Sequence, residues 1–377
     1  MPDYASLRLI WWLILGALLI GFAVMDGFDL GLGASFRFLG RTEEERRALL
    51  ESIEPVWEGN QVWFILAGGA AFAAWPLLYA ASFSGLYLAM FLLLAALILR
   101  PVGFGFRDKI PDPRWRNAWD WALFIGGAAP GVLFGVAFGN LFLGLPFHFD
   151  TLQRVVFAGG LLSLLRPFAL LSGMISLSML VMHGAVYAAL KVGPPMSTRA
   201  AALGRTAAVV YVVAFIAAGV WVAGLGGHQI SSVVDRFGPS DPLNKQVLVT
   251  HGAWFANYRA HALLWLIPLA ALLGAVATRA LLGTGRAGVA FLSSALTQAA
   301  TILTAGVALF PFLMPSATHP NQGLTVWDAS SSLHTLGIML AAVVVFLPIV
   351  LAYTAWVFHV LRGRITLEEI RRHMGLY

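Results

Sequence analysis

The sequence predicts an all-α membrane protein, a polytopic bundle of nine transmembrane helices with its N-terminus outside and its C-terminus in the cytoplasm. Hydrophobic residues make up 59% of the 377 residues and charged residues only 11%, whereas about 25% of a soluble domain is charged. Apolar stretches recur at the length of roughly 20 residues that crosses a bilayer. We therefore expect one integral membrane domain over 1–377, with no room for a nucleic-acid-binding domain.

Nine apolar stretches define the expected spans, and they lie near 7–30, 60–78, 81–105, 119–143, 164–190, 204–225, 261–282, 288–313 and 333–361. The region 60–105 is too long for one helix and holds Trp75-Pro76 near its middle. We expect a tight turn from Trp75 to Ser82 there. Trp75 and Tyr79 are aromatic residues of the kind found at membrane interfaces.

The distribution of basic residues gives the orientation. With nine spans, 18 of the 24 Lys and Arg residues fall in the segments on one side. Because cytoplasmic loops carry the excess of Lys and Arg, this side is predicted to be cytoplasmic. The largest outside loop then runs from Gly226 to Arg259, and the tail from Gly363 to Tyr377 forms a short amphipathic cytoplasmic end.

The ligand-bearing side chains argue against a cofactor held by this chain. Cysteine is absent, which excludes disulfides, thiolate metal sites and cysteine nucleophiles. His183 is the histidine placed most clearly inside a span, and no second histidine lies at a matching depth to complete a pair of haem ligands. We therefore expect no haem ligand and no metal site here, and we interpret His183 as a hydrogen-bonded packing residue.

Two carboxylates close the first span. Asp26 and Asp29 are three residues apart, so they share one face of a helix. A charge in the hydrocarbon costs roughly 2.5–3.5 kcal/mol even on the milder insertion scales. Asp26 and Asp29 therefore either serve a function at membrane depth or merely mark the water-facing end of the span.

A second polar cluster opens the second span, with the sequence Trp57-Glu58-Gly59-Asn60-Gln61-Val62-Trp63. A carboxylate such as Glu58 is favoured at a helix N-terminus by the helix dipole, which is the structural explanation. Asn60 and Gln61 need hydrogen-bond partners in a membrane. We expect Trp57, Asn60, Gln61 and Trp63 to support the site or an interface.

The expected topology places five ionisable residues near the cytoplasmic face: Asp26, Asp29, Glu58, Arg100 and Asp120. Such groups are better tolerated when they pair or share water. The pattern suits a proton path, with Glu58, Asp29 and Asp26 as carriers and Arg100 and Asp120 in support. It suits a structural cluster of ion pairs equally well.

Several segments together resemble subunit II of the cytochrome bd-type quinol oxidases, the bacterial terminal oxidases. They are Trp11-Trp12 through Asp26-Gly27-Phe28-Asp29, Trp57 to Trp63, Phe72-Ala73-Ala74-Trp75-Pro76, Arg100-Pro101-Val102-Gly103-Phe104, Asn244-Lys245, Thr304-Ala305-Gly306, Phe310-Pro311-Phe312, Met314-Pro315-Ser316, Leu324 to Asp328 and Tyr353-Thr354-Ala355-Trp356. The resemblance covers the whole chain.

The resemblance implies a bacterial inner-membrane subunit that has no catalytic residue of its own. Its partner, subunit I, would ligate haems b558, b595 and d and oxidise quinol. The complex would reduce O2 to water with protons from the cytoplasm. A very small accessory subunit often accompanies the pair, and lipid or a bound quinone are further candidate partners. The family usually has Asp after Trp57, where this chain has Glu58.

Two other classes of function compete with this interpretation. A secondary transporter would use Asp26, Asp29 and Glu58 to couple ions to a solute, although no pair of broken helices lies at matching positions of two halves. A purely structural membrane scaffold is the third hypothesis. A haem spectrum that depends on the partner subunit separates all three.

Overall fold

A computed structural model of the protein describes residues 2–374, with side chains over 2–371. The chain is almost entirely helical, and its α-helices are α1 (Tyr4–Gly33), α2 (Phe36–Leu39), α3 (Glu43–Ile53), α4 (Trp57–Ala74), α5 (Pro76–Gly85), α6 (Tyr87–Phe106), α7 (Pro113–Leu143), α8 (Pro167–Lys191), α9 (Met196–Gly224), α10 (Ala256–Ala260), α11 (Leu266–Gly283), α12 (Ala287–Leu309), α13 (Leu333–Val360) and α14 (Leu367–Met374).

The number of spans agrees with the expected nine. Within residues 2–374, eight helices are long and apolar enough to cross a membrane, and the bent pair α4–α5 raises the number to nine. Two helices begin well before their apolar stretches, α7 at Pro113 and α9 at Met196. Hydropathy misses these first turns because they are polar, while backbone hydrogen bonding continues through them. Asp112 caps α7 by accepting a hydrogen bond from the Arg114 amide at 2.8 Å.

The tight turn expected from Trp75 to Ser82 is wrong. The chain breaks at Trp75 and continues as α5, which is bent by 119° from α4. Proline suits the first turn of a helix and disfavours helical geometry in the residue before it, so Pro76 starts a helix while Trp75 cannot continue one. Trp75 is fully buried among the residues of this chain.

Three short antiparallel hairpins modify the all-α prediction. They pair β1 (Phe147–Phe149) with β2 (Val155–Phe157), β3 (Gly226–Ile230) with β4 (Val247–His251), and β5 (Phe312–Met314) with β6 (Leu324–Thr325). All three follow the ends of long helices, and their loops contact one another: the Leu145 amide donates to Pro315 O at 2.9 Å and the Val247 amide to Asn321 at 2.7 Å. We call this the hairpin end of the bundle.

The opposite end, which we call the basic end, carries the short helices α2, α3 and α14. Thr42 and Glu45 form a capping box that begins α3. The tail returns to the bundle, because the Ile365 amide donates to Lys191 O at 2.8 Å and Ile370 is buried. The expected amphipathic tail therefore includes a helix, with residues 375–377 outside the described part of the chain.

Helix α1 lies at the centre and contacts α4, α7, α8, α12 and α13. Its approach to α8 is very close, since a Cβ on Gly31 would collide with the carbonyl oxygen of Leu180. This contact requires glycine and fixes the rotation of α1. The last turns of α1, with their two carboxylates, are consequently directed into the protein.

Candidate functional site: the buried acidic cluster and Glu58

The first part of the site is a salt bridge between α1 and α6. Asp26 is fully buried and Arg100 is 2% exposed. Arg100 Nη2 donates to Asp26 Oδ1 at 2.7 Å, and Nη1 donates to Oδ2 at 3.0 Å. Both carboxylate oxygens are therefore held by one guanidinium, the bidentate geometry in which arginine and carboxylate interact most strongly.

Asp29 lies beside this pair but is satisfied less completely. Asn60 of α4 donates its amide to Asp29 Oδ2 at 2.8 Å, and Arg100 Nη2 lies 3.9 Å from the same oxygen. Asp29 Oδ1 is buried and has no hydrogen-bond partner among the described residues. One arginine thus faces two buried carboxylates, and Asp29 is the one with a free oxygen.

The polar cluster of α4 divides between two faces. Asn60 is buried against Asp29, and the Trp63 ring packs on α1 at Gly21. Trp57 is half-buried, with its ring centroid 5.6 Å from that of Phe104 on α6. Asn60 therefore supports the buried site by its hydrogen bond to Asp29, and Trp63 packs inside this chain.

Glu58 lies on the other face of α4. It is exposed, and no hydrogen bond or ion pair joins it to any side chain over 2–371. Glu58 and Asn60 are two residues apart, so they diverge by about 200° around the helix. Gln61 is half-buried beside them. The two leading proton-path candidates are therefore separated by α4. Asp29 of α1 lies against the face of α4 that carries Asn60, and Glu58 lies on the opposite face.

Asp120 belongs to a separate cluster at the basic end. It accepts hydrogen bonds at 2.7 Å from both Arg107 Nε and Arg46 Nη1. Arg107 also donates to Glu43 of α3, at 2.6 and 2.9 Å. Arg100 and Arg107 are seven residues apart, so the two clusters are about 10 Å apart along α6.

In this second cluster, the hydrogen bonds of Glu43 and Arg107 favour the charged form of both groups. Burial opposes ionisation of Glu43, but the hydrogen bond from Arg107 lowers the pKa of that carboxyl below its ordinary value. Burial would likewise lower the pKa of Arg107, and hydrogen bonds to Glu43 and Asp120 raise it instead. Sequence reasoning missed Arg46, Arg107 and Glu43. The signal was the seven-residue spacing of Arg100 and Arg107, which places both on one face of α6.

His183 has both ring nitrogens engaged. Nε2 donates to the carbonyl oxygen of Val24 at 3.0 Å, and Nδ1 lies 2.7 Å from Ser294 Oγ. The ring also stacks on Phe291, with centroids 4.7 Å apart. His183 is thus a hydrogen-bonded packing residue, as expected. Over the described side chains of residues 2–371, no three His, Asp or Glu residues are grouped so that they could hold a metal ion.

An apolar cavity of about 310 Å³ lies next to the acidic cluster. Its walls come from seven spanning helices and include Phe22, Phe134, Phe215 and Tyr258. Tyr258 donates to Thr304 O at 2.9 Å, so its hydroxyl is already satisfied. Burial raises the pKa of Tyr258 to about 12, which keeps it neutral. The cavity suits an apolar chain better than a polar solute.

Comparisons with known proteins agree along the whole chain. The family profile described as cytochrome bd terminal oxidase subunit II matches residues 7–361. The chain is 50% identical over 374 residues to the cytochrome bd-I ubiquinol oxidase subunit 2 of Escherichia coli, covering 99% of each. It is 50% identical over 373 residues to the probable cytochrome oxidase subunit 2 of Haemophilus influenzae, again covering 99% of each.

More distant matches agree with these. The Bacillus subtilis cytochrome bd ubiquinol oxidase subunit 2 is 31% identical over 368 residues, covering 97% of this chain and 98% of that one. A solved structure of the bd oxidase from Geobacillus thermodenitrificans matches with a TM-score of 0.67 at 16% identity, covering 94% of this chain and 98% of that one, which shows a shared fold. On the family profile and the full-length identities, this chain belongs to the cytochrome bd terminal oxidase subunit II family.

Proposed function

We propose that this chain is the subunit of a cytochrome bd ubiquinol oxidase that ligates no haem, and that it supports subunit I in the four-electron reduction of O2 to water with quinol as donor. The observation that carries the proposal is the 50% identity to the E. coli subunit along 99% of both chains. The protein is a multi-pass protein of the bacterial inner membrane. The transporter alternative has no support in any of the comparisons.

The optical spectrum of the purified complex tests this function. Affinity-purified chain should bring subunit I with it, show haem bands in a reduced-minus-oxidised spectrum, and consume O2 when quinol is added. Purified protein that lacks haem bands and quinol oxidase activity, although subunit I is co-expressed, would contradict the proposal.

We assign haems b558, b595 and d to subunit I. The support is that His183, the most deeply buried candidate ligand, already uses both ring nitrogens. Expressed without subunit I, the chain should bind no haem, which absorbance of the purified protein measures. Stoichiometric haem on the isolated chain, lost on His183→Ala, would place a haem here instead.

We place the basic end in the cytoplasm and the N-terminus outside. Eighteen of the 24 basic residues then lie in cytoplasmic segments, in accord with the positive-inside rule. In this orientation Glu58 lies at the cytoplasmic end of α4, close to the supply of protons.

Glu58 is our first candidate for carrying protons toward subunit I, and Asp29 is the second. Glu58 is exposed and free of partners within the described side chains, and a carboxylate can relay protons by binding and releasing them. Asp29 keeps one free oxygen. Both oxygens of Asp26 are bound by Arg100, so we assign Asp26 to a structural ion pair.

Subunit I is expected to cover α4 and its neighbours. An exposed carboxylate on a spanning helix is costly against lipid, so the face with Glu58 should meet protein. Helix α13 packs on α1 and α4, yet Leu336 is its only buried residue. A large part of α13 is therefore available to subunit I, to a small accessory subunit or to lipid.

The cavity of about 310 Å³ is our candidate site for a bound quinone. An isoprenoid chain is apolar and flexible, and it suits a cavity walled by aromatic rings. Replacing Phe215 by Trp should narrow the cavity and reduce the quinone recovered from the purified complex by solvent extraction. Unchanged quinone content would argue that the quinone is bound elsewhere.

A further inference from the structure

A second recess opens at the basic end, between α1, α8, α12 and α13. Its volume is about 560 Å³, in the range of small-molecule sites. The walls are aromatic and are formed by Phe28, Tyr187, Phe291 and Phe358. Phe28 and Tyr187 are stacked with ring centroids 4.0 Å apart, so this part of the wall is a rigid apolar surface.

Three cations line the mouth of this recess: Lys191 at the end of α8, and Arg362 and Arg364 just beyond α13. Lys191 Nζ donates to Leu361 O at 2.5 Å, and Arg364 Nε donates to Leu190 O at 3.3 Å. No salt bridge joins any of the three to a carboxylate among the side chains of 2–371. Three positive charges thus meet without a counter-ion among the described side chains.

The segment that carries the two arginines is held in place. Gly363 has φ of +133°, a conformation that favours glycine, and it makes the turn between them. The Ile365 amide donates to Lys191 O at 2.8 Å, and the Gly193 amide to Ile365 O at 3.3 Å. These bonds fasten the main chain of the segment to the end of α8, so the backbone positions that carry the three cations are held beside one another.

We propose that this recess binds an anionic phospholipid, with the phosphate at Lys191, Arg362 and Arg364 and an acyl chain between the aromatic walls. Clusters of Lys and Arg beside spanning helices attract anionic headgroups. The lining extends from these cations to Met25 within the span of α1, which is the path of a lipid that enters from its own leaflet. A free phosphate would use the cations but leave the apolar walls empty.

Lipid counting on the intact complex tests the site. The complex with subunit I is placed in nanodiscs of phosphatidylcholine with a minority of phosphatidylglycerol, and native mass spectrometry counts the lipids retained after release. The double variant Arg362→Gln/Arg364→Gln should retain phosphatidylglycerol about 30-fold less than the parent, since each of the two basic residues near the membrane surface contributes about 1 kcal/mol and every ~1.4 kcal/mol is a factor of ten.

A matched control removes two other cations from the basic end. Arg205 and Arg286 are exposed, do not line the recess and form no salt bridge within the described side chains. The double variant Arg205→Gln/Arg286→Gln should retain phosphatidylglycerol like the parent. An equal loss from both double variants would mean general attraction of anionic lipid to a basic surface, and would overturn the proposal.

The remaining outcomes separate the sources of the anion. Equal retention of phosphatidylcholine, or complete displacement of phosphatidylglycerol by millimolar inorganic phosphate, would overturn the assignment to an anionic lipid. If the Arg362→Gln/Arg364→Gln complex fails to assemble, photo-crosslinking of the parent complex tests instead whether the lipid lies in the recess. Phosphatidylglycerol with a diazirine on its acyl chain should label peptides that contain Phe291 or Phe358, and labelling confined to other helices would reject the site.

Discussion

Asp26 and Asp29 share one face of α1 and one arginine, yet their surroundings differ. Arg100 binds both oxygens of Asp26 at 2.7 and 3.0 Å and reaches Asp29 only at 3.9 Å. Asn60 supplies the single hydrogen bond to Asp29. Both oxygens of Asp26 are thus paired with the guanidinium, whereas Asp29 Oδ1 is buried without a hydrogen-bond partner among the described residues.

Removal of Arg100 should be more damaging than neutralisation of its partner. Arg100→Gln leaves the Asp26 charge buried without a cation, and breaking a buried pair in this way costs about 3–5 kcal/mol. We expect little assembled complex, measured as haem d per milligram of membrane protein. The double variant Asp26→Asn/Arg100→Gln, which leaves no unpaired charge from this salt bridge, should recover part of the assembly. Normal assembly of Arg100→Gln would show that the pair is not structural.

Glu58 allows a cleaner test of proton supply because it is exposed and forms no side-chain hydrogen bond or ion pair over 2–371. Glu58→Gln keeps the size and removes the titratable group, so assembly should survive while quinol oxidase turnover per haem d falls about 100-fold, the lower end of the range for loss of a proton-transfer group. Glu58→Asp should retain most of the turnover. Normal turnover of Glu58→Gln would exclude Glu58 from the proton path.

At the scale of elements, the crossing of α1 and α8 decides where the carboxylates point. A methyl group on Gly31 would collide with the Leu180 carbonyl. A methyl group on Gly184 of α8 would likewise collide with the backbone of α1 at Leu32. The obstacle on each side is main chain, which cannot move aside as a side chain can. Small residues at helix crossings have this role in membrane proteins in general.

Gly31→Ala should therefore separate the two helices and reduce the amount of folded complex, whereas Gly16→Ala in the same helix should not. A Cβ at Gly16 meets nothing within 4 Å, and alanine there gains about 0.5–1 kcal/mol in helix stability. Thermal unfolding of the purified complex, followed by the haem absorbance, measures both variants. Equal melting temperatures for the two would show that the α1–α8 contact can widen at no cost.

The break at Trp75 joins two parts of the molecule that are distant in sequence. The Trp75 indole donates to Val326 O at 3.4 Å, and the Ser331 amide donates to Ala74 O at 2.8 Å. The end of α4 is thus covered by the segment between β6 and α13. This segment packs on the kink before Pro76, which explains why Trp75 is buried.

At the scale of the whole molecule, we expect the exposed faces of α4 and α13 to contact subunit I. A photo-crosslinker at Val62, which is 42% exposed on α4, should react with subunit I in the intact complex. A crosslinker at Val220, which is 72% exposed on α9, should reach lipid. Peptide mass spectrometry of the products distinguishes these results. Lipid adducts alone at Val62 would place the interface on another face of the chain.

The sequence by itself determined the features that a single segment can specify. A spanning helix satisfies its own backbone hydrogen bonds and needs only about 20 apolar residues, so the nine spans could be read from local hydropathy. The cost of a charge in the hydrocarbon drew attention to Asp26, Asp29, Glu58 and Arg100 in the same local way. The family motifs, which match along the whole chain, predicted the function.

Only the tertiary structure decided how these residues are combined. Arg100 and Asp26 are 74 residues apart, and their pairing depends on how α1 and α6 are rotated about their axes. The rotation of α4 likewise turns Asn60 inward and Glu58 outward, and the packing of α7 places Asp120 in a different cluster with Arg107. Contacts between main chains, as at Gly31, fix those rotations. Because these contacts join distant segments, they leave no periodic signal in the sequence of either helix.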